Sequence, residues 1–433
     1  MIRRGLGLLL ALLTLGCTGC GGPSGSSAES AQQTLQKYGS NYRADMESPQ
    51  DGYLFGMCYL AWEGVGNGID YQKALQLMKN LGVRSIRHWM HFSYYMEDYK
   101  TFKPEAVDQM HDILAEALEQ GFQVIGMSHV NWSLESERFS VGKPVRQPWE
   151  GSDYYRWLEC YEETWYLVAK EFPEITYWEI DNEINNKDFM YTEGKFGEKL
   201  STREMAALAA DMLFYASRGI HRANPDAVTV MGGIVDPLGL GIPETGTGTT
   251  MVNFMEALYD AIESGRHGST RPDDFFEVAA WHPYYYKNPP DDYFVEKNNE
   301  IYEVIRRREN KEKKVFLTEF GWDESLWDMA HIPAAIGRLF AVVEEKMPYV
   351  EALHYYRLFD DVTENHNTAG LFCDPVAHRK DVLPKTGECR VAGSPKPSAY
   401  AYQKAAGGQG PLDLFRADRP PAAGSGTAEA PSD

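Results

Sequence analysis

Short apolar segments alternate with longer amphipathic segments along most of the chain, a pattern typical of strands and helices that follow one another in a parallel sheet. The eight predicted strands are Tyr53–Leu60, Val83–Trp89, Phe122–Val130, Ile175–Asn182, Val228–Val235, Glu277–Tyr284, Lys314–Glu319 and Val350–Leu358. The predicted helices between and after them are Tyr71–Leu81, Pro104–Gln120, Asp153–Glu171, Thr202–Ala223, Val252–Ser264, Val295–Asn310, Ile332–Lys346 and Ser398–Ala406. Local signals support these bounds: Asp70 precedes one helix, Ser201 and Glu204 resemble a capping box, and Gly82 and Gly121 stand where helices end.

Eight strand–helix units predict an α/β protein with a single (β/α)8 TIM barrel, because that is the number a closed parallel barrel requires. A doubly wound open sheet is the alternative. The absence of a Gly-rich phosphate loop after the first predicted strand disfavours it. We therefore assign residues 46–407 to one barrel.

The N-terminus has the pattern of a processing signal. Arg3 and Arg4 precede the apolar run Leu6–Leu15, which is too short to span a bilayer but suits the core of a signal peptide. Small residues before Cys17 and Cys20 resemble the lipobox of bacterial lipoproteins, and either cysteine could carry the lipid. An ordinary secretory signal is the alternative. We expect an exported cell-envelope lipoprotein, at the outer membrane or cell surface, that meets the membrane only through this anchor.

The remaining segments outside the barrel differ from it in composition. Residues 1–20 are assigned to the signal peptide, and the Gly/Ser-rich segment 21–45 to a flexible tether. Gly, Pro, Ala and Asp dominate residues 408–433, which we predict to be a disordered tail.

Composition narrows the class of protein and of partner. The chain has 433 residues, of which 43% are hydrophobic and 24% charged, as in globular proteins. Its net charge of −21 disfavours nucleic-acid binding, which depends on basic surface. Aromatic residues make up 13% of the chain, which suits sugar stacking, although a large core explains most of them.

The cysteines of the barrel favour one disulfide and no metal site. Cys373 and Cys389 flank a Pro-containing loop and form the predicted pair, since an exported protein meets an oxidising compartment. Cys58 and Cys160 fall in a strand and a helix and are expected to be buried thiols. No Cys/His spacing fits structural zinc, and no His-x-His follows the first strand, so we expect neither a metal nor an organic cofactor.

Two glutamates stand where strands end. Glu183 follows the fourth predicted strand, and Glu319 ends the seventh. Active sites of these barrels lie at the carboxyl ends of the strands, so the two side chains can converge across the mouth. Glycoside hydrolysis needs such a pair: one carboxyl protonates the leaving oxygen, and the other attacks or activates water. Solvated loop positions are the alternative for each glutamate taken singly.

Three motifs around these glutamates carry a family resemblance. The Asn182-Glu183 pair, the run His282-Pro283-Tyr284 and the run Thr318-Glu319-Phe320-Gly321 resemble clan A of the retaining glycoside hydrolases. The likeness spans one barrel, roughly from Tyr53 to Ala406, with family 39 and the cellulase-like family 5 as nearest relatives.

The resemblance implies roles for the two carboxyls and their neighbours. Glu183 would be the general acid/base and Glu319 the nucleophile, while Asn182 would bond the sugar 2-hydroxyl. Tyr284 would donate to the nucleophile and hold it ionised, and His282 would help to shape the sugar subsite.

Arg87, at the end of the second predicted strand, has two possible functions. It would add positive charge beside Glu319 and lower the pKa of that carboxyl. It could equally neutralise Glu179 or Asp181, which share the inward phase of the fourth strand. Both can hold together, since buried carboxylates need partners.

Further candidate sugar contacts lie at or past strand ends. They are Trp62, His129, Asn131, Trp132 and Trp322. Core or rim packing is the alternative for each tryptophan, and His88 and His91 are expected to be structural. The chain departs from the family pattern at Ile184, where the family has proline. Asp181 departs from it as well, and so do Tyr355, Tyr356 and Phe359 at the end of the eighth strand, where the family commonly has a tryptophan.

The sequence thus predicts a retaining glycoside hydrolase that acts on a β-linked oligo- or polysaccharide with two glutamates and no cofactor. The alternatives are a catalytically silent carbohydrate-binding barrel lipoprotein and a transglycosidase with the same carboxylates. The intact pair of glutamates disfavours the silent barrel.

Overall fold

The computed structural model describes ten segments of the chain. They are residues 54–59, 68–128, 153–186, 189–190, 200–236, 249–284, 292–324, 330–361, 368–376 and 391–417. The structural statements below concern these residues.

Parallel strands form one sheet in the described part of the chain. The strands are β1 (Phe55–Tyr59), β2 (Ser85–Trp89), β3 (Gln123–Ser128), β4 (Tyr177–Ile180), β5 (Val228–Met231), β6 (Ile234–Val235), β7 (Ala279–His282), β8 (Val315–Phe320) and β9 (Val350–Tyr355). Their order is β5-β4-β3-β2-β1-β9-β8-β7-β6, so the first strand of the barrel pairs with the last.

The sheet closes through β5 and β6, which are two halves of one predicted strand. β5 pairs with β4, β6 pairs with β7, and Val230 bridges Val278 in parallel. The break falls at Gly232 and Gly233. A Cβ on Gly233 would lie 2.1 Å from His282 Nε2, so a side chain cannot be accommodated there. The predicted strand 228–235 is therefore interrupted at these glycines and forms two short strands. The strands together form a (β/α)8 barrel, as predicted.

Helices connect the strands on the outside of the barrel. They are α1 (Tyr71–Leu81), α2 (Phe92–Tyr95), α3 (Pro104–Glu119), α4 (Asp153–Glu171), α5 (Thr202–Ala223), α6 (Met251–Glu263), α7 (Asp292–Glu309), α8 (Ile332–Lys346) and α9 (Pro397–Ala405). Caps fix several ends: Asp70 accepts from Lys73 N, and Ser201 and Glu204 complete the capping box at α5. The sequence did not predict the short helix α2.

Alternation along the strands divides the core into two layers. Tyr177 and Phe316 belong to a small cluster inside the barrel, whereas Trp178 and Leu317 belong to the large core between barrel and helices. Successive side chains of a strand point to opposite faces, so the residue after Trp178 returns to the barrel interior. Glu179 therefore lies inside the barrel, above the apolar cluster.

The first part of the predicted disordered tail, residues 408–417, is ordered against the barrel. Asn80 Nδ2 donates to Pro411 O at 2.8 Å, Leu412 is buried, and the Phe415 ring lies 5.0 Å from that of Phe359. Ala417 N also donates to a main-chain carbonyl of the 391–396 segment. Residues 408–417 thus pack against the barrel, because Leu412 and Phe415 bury apolar surface that the Gly- and Pro-rich composition of the segment conceals.

A buried ion cluster joins α3 to the last residue of α4, Glu171, and to Glu174 just beyond it. His111 Nδ1 lies 2.8 Å from Glu174 Oε1, and its Nε2 lies 3.6 Å from Glu171 Oε1. Burial lowers the pKa of His111, but the hydrogen bonds and charges of the two carboxylates outweigh it and raise the pKa to about 9. The imidazole is thus held as a cation in the folded protein.

The described cysteines agree with the sequence prediction except that Cys160, predicted to be buried, is partly exposed. Cys58 and Cys160 are thiols, and Cys373 is disulfide-bonded. The predicted partner Cys389 lies outside the described residues. None of the described helices combines the length and apolar character needed to cross a membrane.

Candidate functional site

Four strands direct polar side chains into one end of the barrel. Arg87 comes from β2, Glu179 from β4, His282 from β7 and Glu319 from β8. All four are buried, with Arg87 and Glu179 0% exposed. Because the strands are parallel, their carboxyl ends meet at the same mouth, which brings together residues as distant in sequence as Arg87 and Glu319.

The turn after β4 adds Asn182 and Glu183 to this group. Asp181 and Glu183 both have positive φ, at 70° and 47°. The Asp181 side chain accepts a hydrogen bond from Asn182 N at 3.0 Å, which fixes the turn. Left-handed backbone is disfavoured for residues with a side chain and concentrates at functional sites, where it re-aims side chains. Here it directs Glu183 over the barrel mouth.

An irregularity in β8 places two consecutive side chains in the site. The register with β9 shifts between Leu317 and Phe320. In a regular strand Thr318 and Glu319 would point to opposite faces, but such shifts re-aim side chains. Consequently Thr318 Oγ1 donates to Glu179 inside the barrel, while Glu319 faces Arg87.

Glu319 is surrounded by groups that favour its ionised form. Arg87 Nη1 lies 2.5 Å from Oε1, Tyr284 donates its hydroxyl to Oε2 at 2.8 Å, and His282 Nδ1 is 3.7 Å from Oε2. Burial raises the pKa of Glu319, but His282 in its protonated form, the charge of Arg87 and the hydrogen bonds from Tyr284 and Arg87 hold that pKa below its ordinary value. The side chain is a buried carboxylate.

Arg87 serves both functions considered from the sequence. Its Nε and Nη2 bind Glu179 at 2.5 and 3.0 Å, while Nη1 binds Glu319. Nη2 also donates to Asn182 Oδ1 at 2.8 Å. The neighbouring Asp181 is directed instead toward Tyr161, whose pKa is raised by burial and then by that carboxylate. Arg87 is therefore a shared counter-ion of the two buried glutamates.

Glu183 has a different environment. Asn186 Nδ2 donates to Oε2 at 2.7 Å, and His282 Nδ1 lies 3.2 Å from Oε1. Asn185, two residues after Glu183, connects the turn to β6 by two hydrogen bonds. Its side chain donates to the Val235 carbonyl at 2.6 Å and accepts from the Val235 N–H. Glu183 thus contacts neutral or titratable groups, whereas Glu319 contacts a permanent cation.

The two carboxyls are close to each other. One oxygen of Glu183, one oxygen of Glu319 and a ring nitrogen of His282 lie within 4.8 Å of one another. Such a triad resembles a set of metal ligands. However, Arg87 and Tyr284 already donate to the two oxygens of Glu319, and a guanidinium at 2.5 Å opposes a cation there. These donors disfavour a metal ion at the triad.

The other residues predicted for the site fall into two groups. His129, Asn131 and Trp132 lie outside the described residues, as does Trp62. Trp322 is described: its indole is 1% exposed and contacts the Phe320 ring at 4.7 Å, which fits the packing alternative.

The sequence did not assign functional roles to Thr318 and Asn186. Thr318 belongs to the motif that ends β8, so its position was a usable signal. Asn186 lies three residues beyond Glu183 and donates to its carboxyl within a turn in which Glu183 has positive φ, and no residue pattern indicates that turn.

Neither the family models nor the curated proteins provide a match for this chain. Solved structures are similar in fold. A family 39 glycoside hydrolase from Bacteroides cellulosilyticus WH2 is 18% identical with a TM-score of 0.55, and the comparison covers 81% of this chain and 62% of that one. This chain thus spans less than two thirds of the length of that protein.

Two further structures cover most of both chains. A GH5_18 protein from Streptomyces cattleya in complex with GlcNAc is 16% identical with a TM-score of 0.54, over 85% of this chain and 81% of that one. A family 1 β-glucosidase from Thermotoga maritima is 11% identical with a TM-score of 0.53, over 83% and 98%. At these identities the likeness concerns the fold alone: the chain has a (β/α)8 barrel similar to the barrels of these proteins.

Proposed function

We propose that the protein is a retaining glycoside hydrolase that cleaves β-linked oligo- or polysaccharides. The observation that carries the proposal is the unequal pair of carboxyls at the barrel mouth. Glu319 is held ionised by Arg87 and Tyr284, and an oxygen of Glu183 lies within 4.8 Å of it. Retaining enzymes separate their carboxyl groups by about 5–5.5 Å, and inverting enzymes by about 6.5–9.5 Å.

In the first half of the reaction, Glu319 attacks the anomeric carbon. The bond from that carbon to the glycosidic oxygen breaks, and Glu183 gives its proton to the departing oxygen. Arg87 and Tyr284 fit this step because they keep the nucleophile unprotonated and fix its orientation.

In the second half, Glu183 is a carboxylate and accepts a proton from water. The resulting hydroxide oxygen bonds to the anomeric carbon while the bond to Glu319 breaks, which returns both carboxyls to their starting states. Asn182 has its Oδ1 engaged by Arg87, so the group that it can offer a sugar 2-hydroxyl is its Nδ2 donor.

The first test is a release assay over a panel of polysaccharides and aryl glycosides, beside the isosteric variant Glu319→Gln. We expect turnover by the wild type, none by the variant, and retained configuration in the first product seen by proton NMR. An inverted product contradicts the mechanism. Sugar binding without turnover on any substrate supports the silent barrel, and transfer to added sugar acceptors in place of water supports the transglycosidase.

The second test separates the roles of the two carboxyls. Glu319→Ala should lose at least about 10³-fold of the activity, because no covalent intermediate can form. Glu183→Ala should retain activity on aryl glycosides with acidic phenols, which leave without protonation. Azide needs no base and should rescue Glu183→Ala with retention, whereas at Glu319→Ala it should attack from the vacated side and give the opposite anomer. If azide rescues Glu183→Ala with inversion of the anomeric configuration, then Glu183 is the nucleophile and Glu319 the acid/base.

We also propose that the protein is exported and anchored by a lipid on Cys17 or Cys20. The support is the basic start, the short apolar run and the small residues before each cysteine. Labelling with radioactive palmitate, with Cys17→Ser and Cys20→Ser compared one at a time, identifies the modified residue. Loss of label from neither variant contradicts the anchor.

A further inference from the structure

Glu179 lies deeper in the barrel than Glu183 and Glu319, and hydrogen bonds through intervening side chains connect it to both. Arg87 connects it to Glu319, and Thr318 connects it to His282, which contacts Glu183. Its two oxygens receive N–H and O–H donors: two from Arg87 at 2.5 and 3.0 Å, one from Gly233 N at 3.1 Å and one from Thr318 Oγ1 at 3.0 Å. An ionised carboxylate is an acceptor at both oxygens, which this arrangement requires.

Because the Glu179 carboxylate can only accept, it determines the direction of the two hydrogen bonds made by the Thr318 hydroxyl. A hydroxyl has one proton, and the proton of Thr318 is used in the bond to Glu179. The Thr318 oxygen also lies 3.1 Å from His282 Nε2, and in that contact it can only accept. His282 therefore carries a proton on Nε2.

The opposite ring nitrogen then has a defined role. In a neutral imidazole one nitrogen donates and the other accepts, so a proton on Nε2 leaves a lone pair on Nδ1. Nδ1 lies 3.2 Å from Glu183 Oε1. A hydrogen bond across that contact needs one proton, held either by the Glu183 carboxyl or by the imidazolium.

We propose that Glu179 and Thr318 are positioning residues that fix the Nε2–H form of His282, so that Nδ1 and Glu183 share one proton. The proposal rests on the proposed function, since it assigns this proton to the general acid. Without the Thr318 oxygen, His282 is free to place its proton on Nδ1 and donate to a Glu183 carboxylate, the form that cannot act as an acid.

The groups that face His282 agree with one shared proton. Glu319 Oε2 lies 3.7 Å from Nδ1, and Glu183 Oε1 lies 3.2 Å from it. On the other side Gly233 leaves room for the ring, and Thr318 separates Nε2 from the buried pair of Glu179 and Arg87. The negative charges of Glu179 and Glu319 are both shared with Arg87, whereas the hydrogen-bonding neighbours of the Glu183 carboxyl are Asn186 and His282.

The proton is conserved through the two halves of the reaction. It leaves the Glu183–His282 pair with the departing oxygen when the glycosidic bond breaks. A proton from the attacking water returns to Glu183 when the bond to Glu319 breaks. His282 Nδ1 accepts from the acid in the first state, so it positions the proton and is not itself consumed.

The first experiment measures the protonation of His282 directly and needs no activity. Long-range proton–nitrogen NMR of histidine-labelled protein, with His282→Gln to assign the signal, distinguishes the two neutral forms of the ring between pH 5 and pH 9. We expect Nε2–H in the wild type and in Thr318→Ser, which keeps the hydroxyl. In Thr318→Val, which is nearly the same size, we expect Nδ1–H to become the main form.

The second experiment follows kcat/KM against pH on an alkyl glycoside, whose leaving group needs the acid, and on a dinitrophenyl glycoside, whose leaving group does not. Thr318→Val should move the basic limb on the alkyl glycoside by about one pH unit to lower pH, about tenfold in rate on that limb. The dinitrophenyl rate should change by less than about threefold. Thr318→Ser should match the wild type on both substrates.

The outcomes separate this inference from the proposed function. An Nδ1–H imidazole in the wild type, or a ring doubly protonated across the whole range, overturns the inference whatever the activity. Equal losses on both substrates in Thr318→Val also overturn it, because they indicate a general structural defect. Absence of wild-type turnover on every glycoside refutes the proposed function instead, and the NMR result still decides the state of His282. Should Thr318→Val fold poorly, Thr318→Ala removes the same hydroxyl without adding volume and should shift His282 to the Nδ1–H form in the same way.

Discussion

Replacing Arg87 with methionine removes the counter-ion of two buried carboxylates at once. Arg87 is 0% exposed, and it donates to Glu179 through two nitrogens and to Glu319 through a third. Methionine has similar length and keeps the apolar packing of the stem, so the variant isolates the loss of charge. We expect the folded state to keep its shape and lose stability.

The magnitude follows from the environment of the pair. Removing one partner of a buried ion pair costs about 3–5 kcal/mol, because the charge that remains is desolvated without compensation. Here Glu179 keeps the donors Gly233 N and Thr318 Oγ1, and Glu319 keeps Tyr284. These bonds keep the expected loss at pH 7 within that range, although two carboxylates lose their cation.

The loss should depend on pH in a definite direction. In the wild type the folded-state pKa of Glu319 is lowered, so its contribution is present above its unfolded pKa and is lost as pH falls through the folded value. In Arg87→Met burial outweighs the remaining partners and raises that pKa, so the variant becomes less stable as pH rises. One carboxylate changes stability by about 1.36 kcal/mol per pH unit in this window, which is about 2–3 kcal/mol between pH 5 and pH 7.

Urea unfolding of both proteins at pH 5 and pH 7 measures the two differences in the free energy of unfolding. The double variant Arg87→Met/Glu179→Gln is the matched control, because it removes one of the stranded charges and should recover about 1–3 kcal/mol. A loss below about 1 kcal/mol at pH 7, or a loss equal at both pH values, refutes the idea that Arg87 neutralises buried charge.

Three other predictions concern stability. Gly233→Ala should destabilise the fold by about 1–3 kcal/mol or more and reduce activity, because its Cβ would meet the His282 imidazole and the Thr318 hydroxyl. Gly337→Ala, on an open helix surface, should instead stabilise the fold by about 0.4–1 kcal/mol. Urea unfolding compares the two variants, and equal effects contradict the steric argument. The wild-type free energy of unfolding should fall by roughly 2–3 kcal/mol from pH 6.5 to pH 9. The raised pKa of His111 contributes stability in full below its unfolded value and loses it progressively as pH rises to about 9, so His111→Phe should flatten that slope. Non-reducing peptide mapping should find Cys373 joined to Cys389, a closure of about fifteen residues worth about 3 kcal/mol in the chain-entropy model, and a different partner for Cys373 contradicts the pairing.

The sequence predicted helices better than strand ends. The bounds of α1, α4, α5 and α8 agree with the prediction to the residue. At α1 and α5 the signal is local, because the side chains of Asp70 and Ser201 cap the first turn and a left-handed Gly82 ends α1. Strand ends depend on the neighbouring strand, so β4 and β9 are shorter than the apolar runs that contain them. The break at Gly233 depends on the position of His282, which lies 49 residues away in the sequence.

The candidate site was predictable where a residue stands at a strand end. Arg87, Glu183, His282 and Glu319 all follow from the rule that active sites of these barrels lie at the carboxyl ends of the strands. Asn186 did not follow from that rule, because it lies in the turn beyond the strand end, where Asp181 and Glu183 have left-handed backbone.

The pairing of the first strand with the last also determines how the chain must fold. β1 hydrogen-bonds with β9. Tyr402 donates its hydroxyl to Gly56 O across 346 residues of sequence, and Asn80 donates to Pro411 O across 331 residues. Contacts of high sequence separation slow folding, since loop closure must precede them. During synthesis β1 keeps an unpaired edge until the C-terminal residues have emerged, which makes it a site for aggregation or chaperone binding. Truncation before residue 411 should therefore impair folding yield more than it reduces the stability of the protein that does fold.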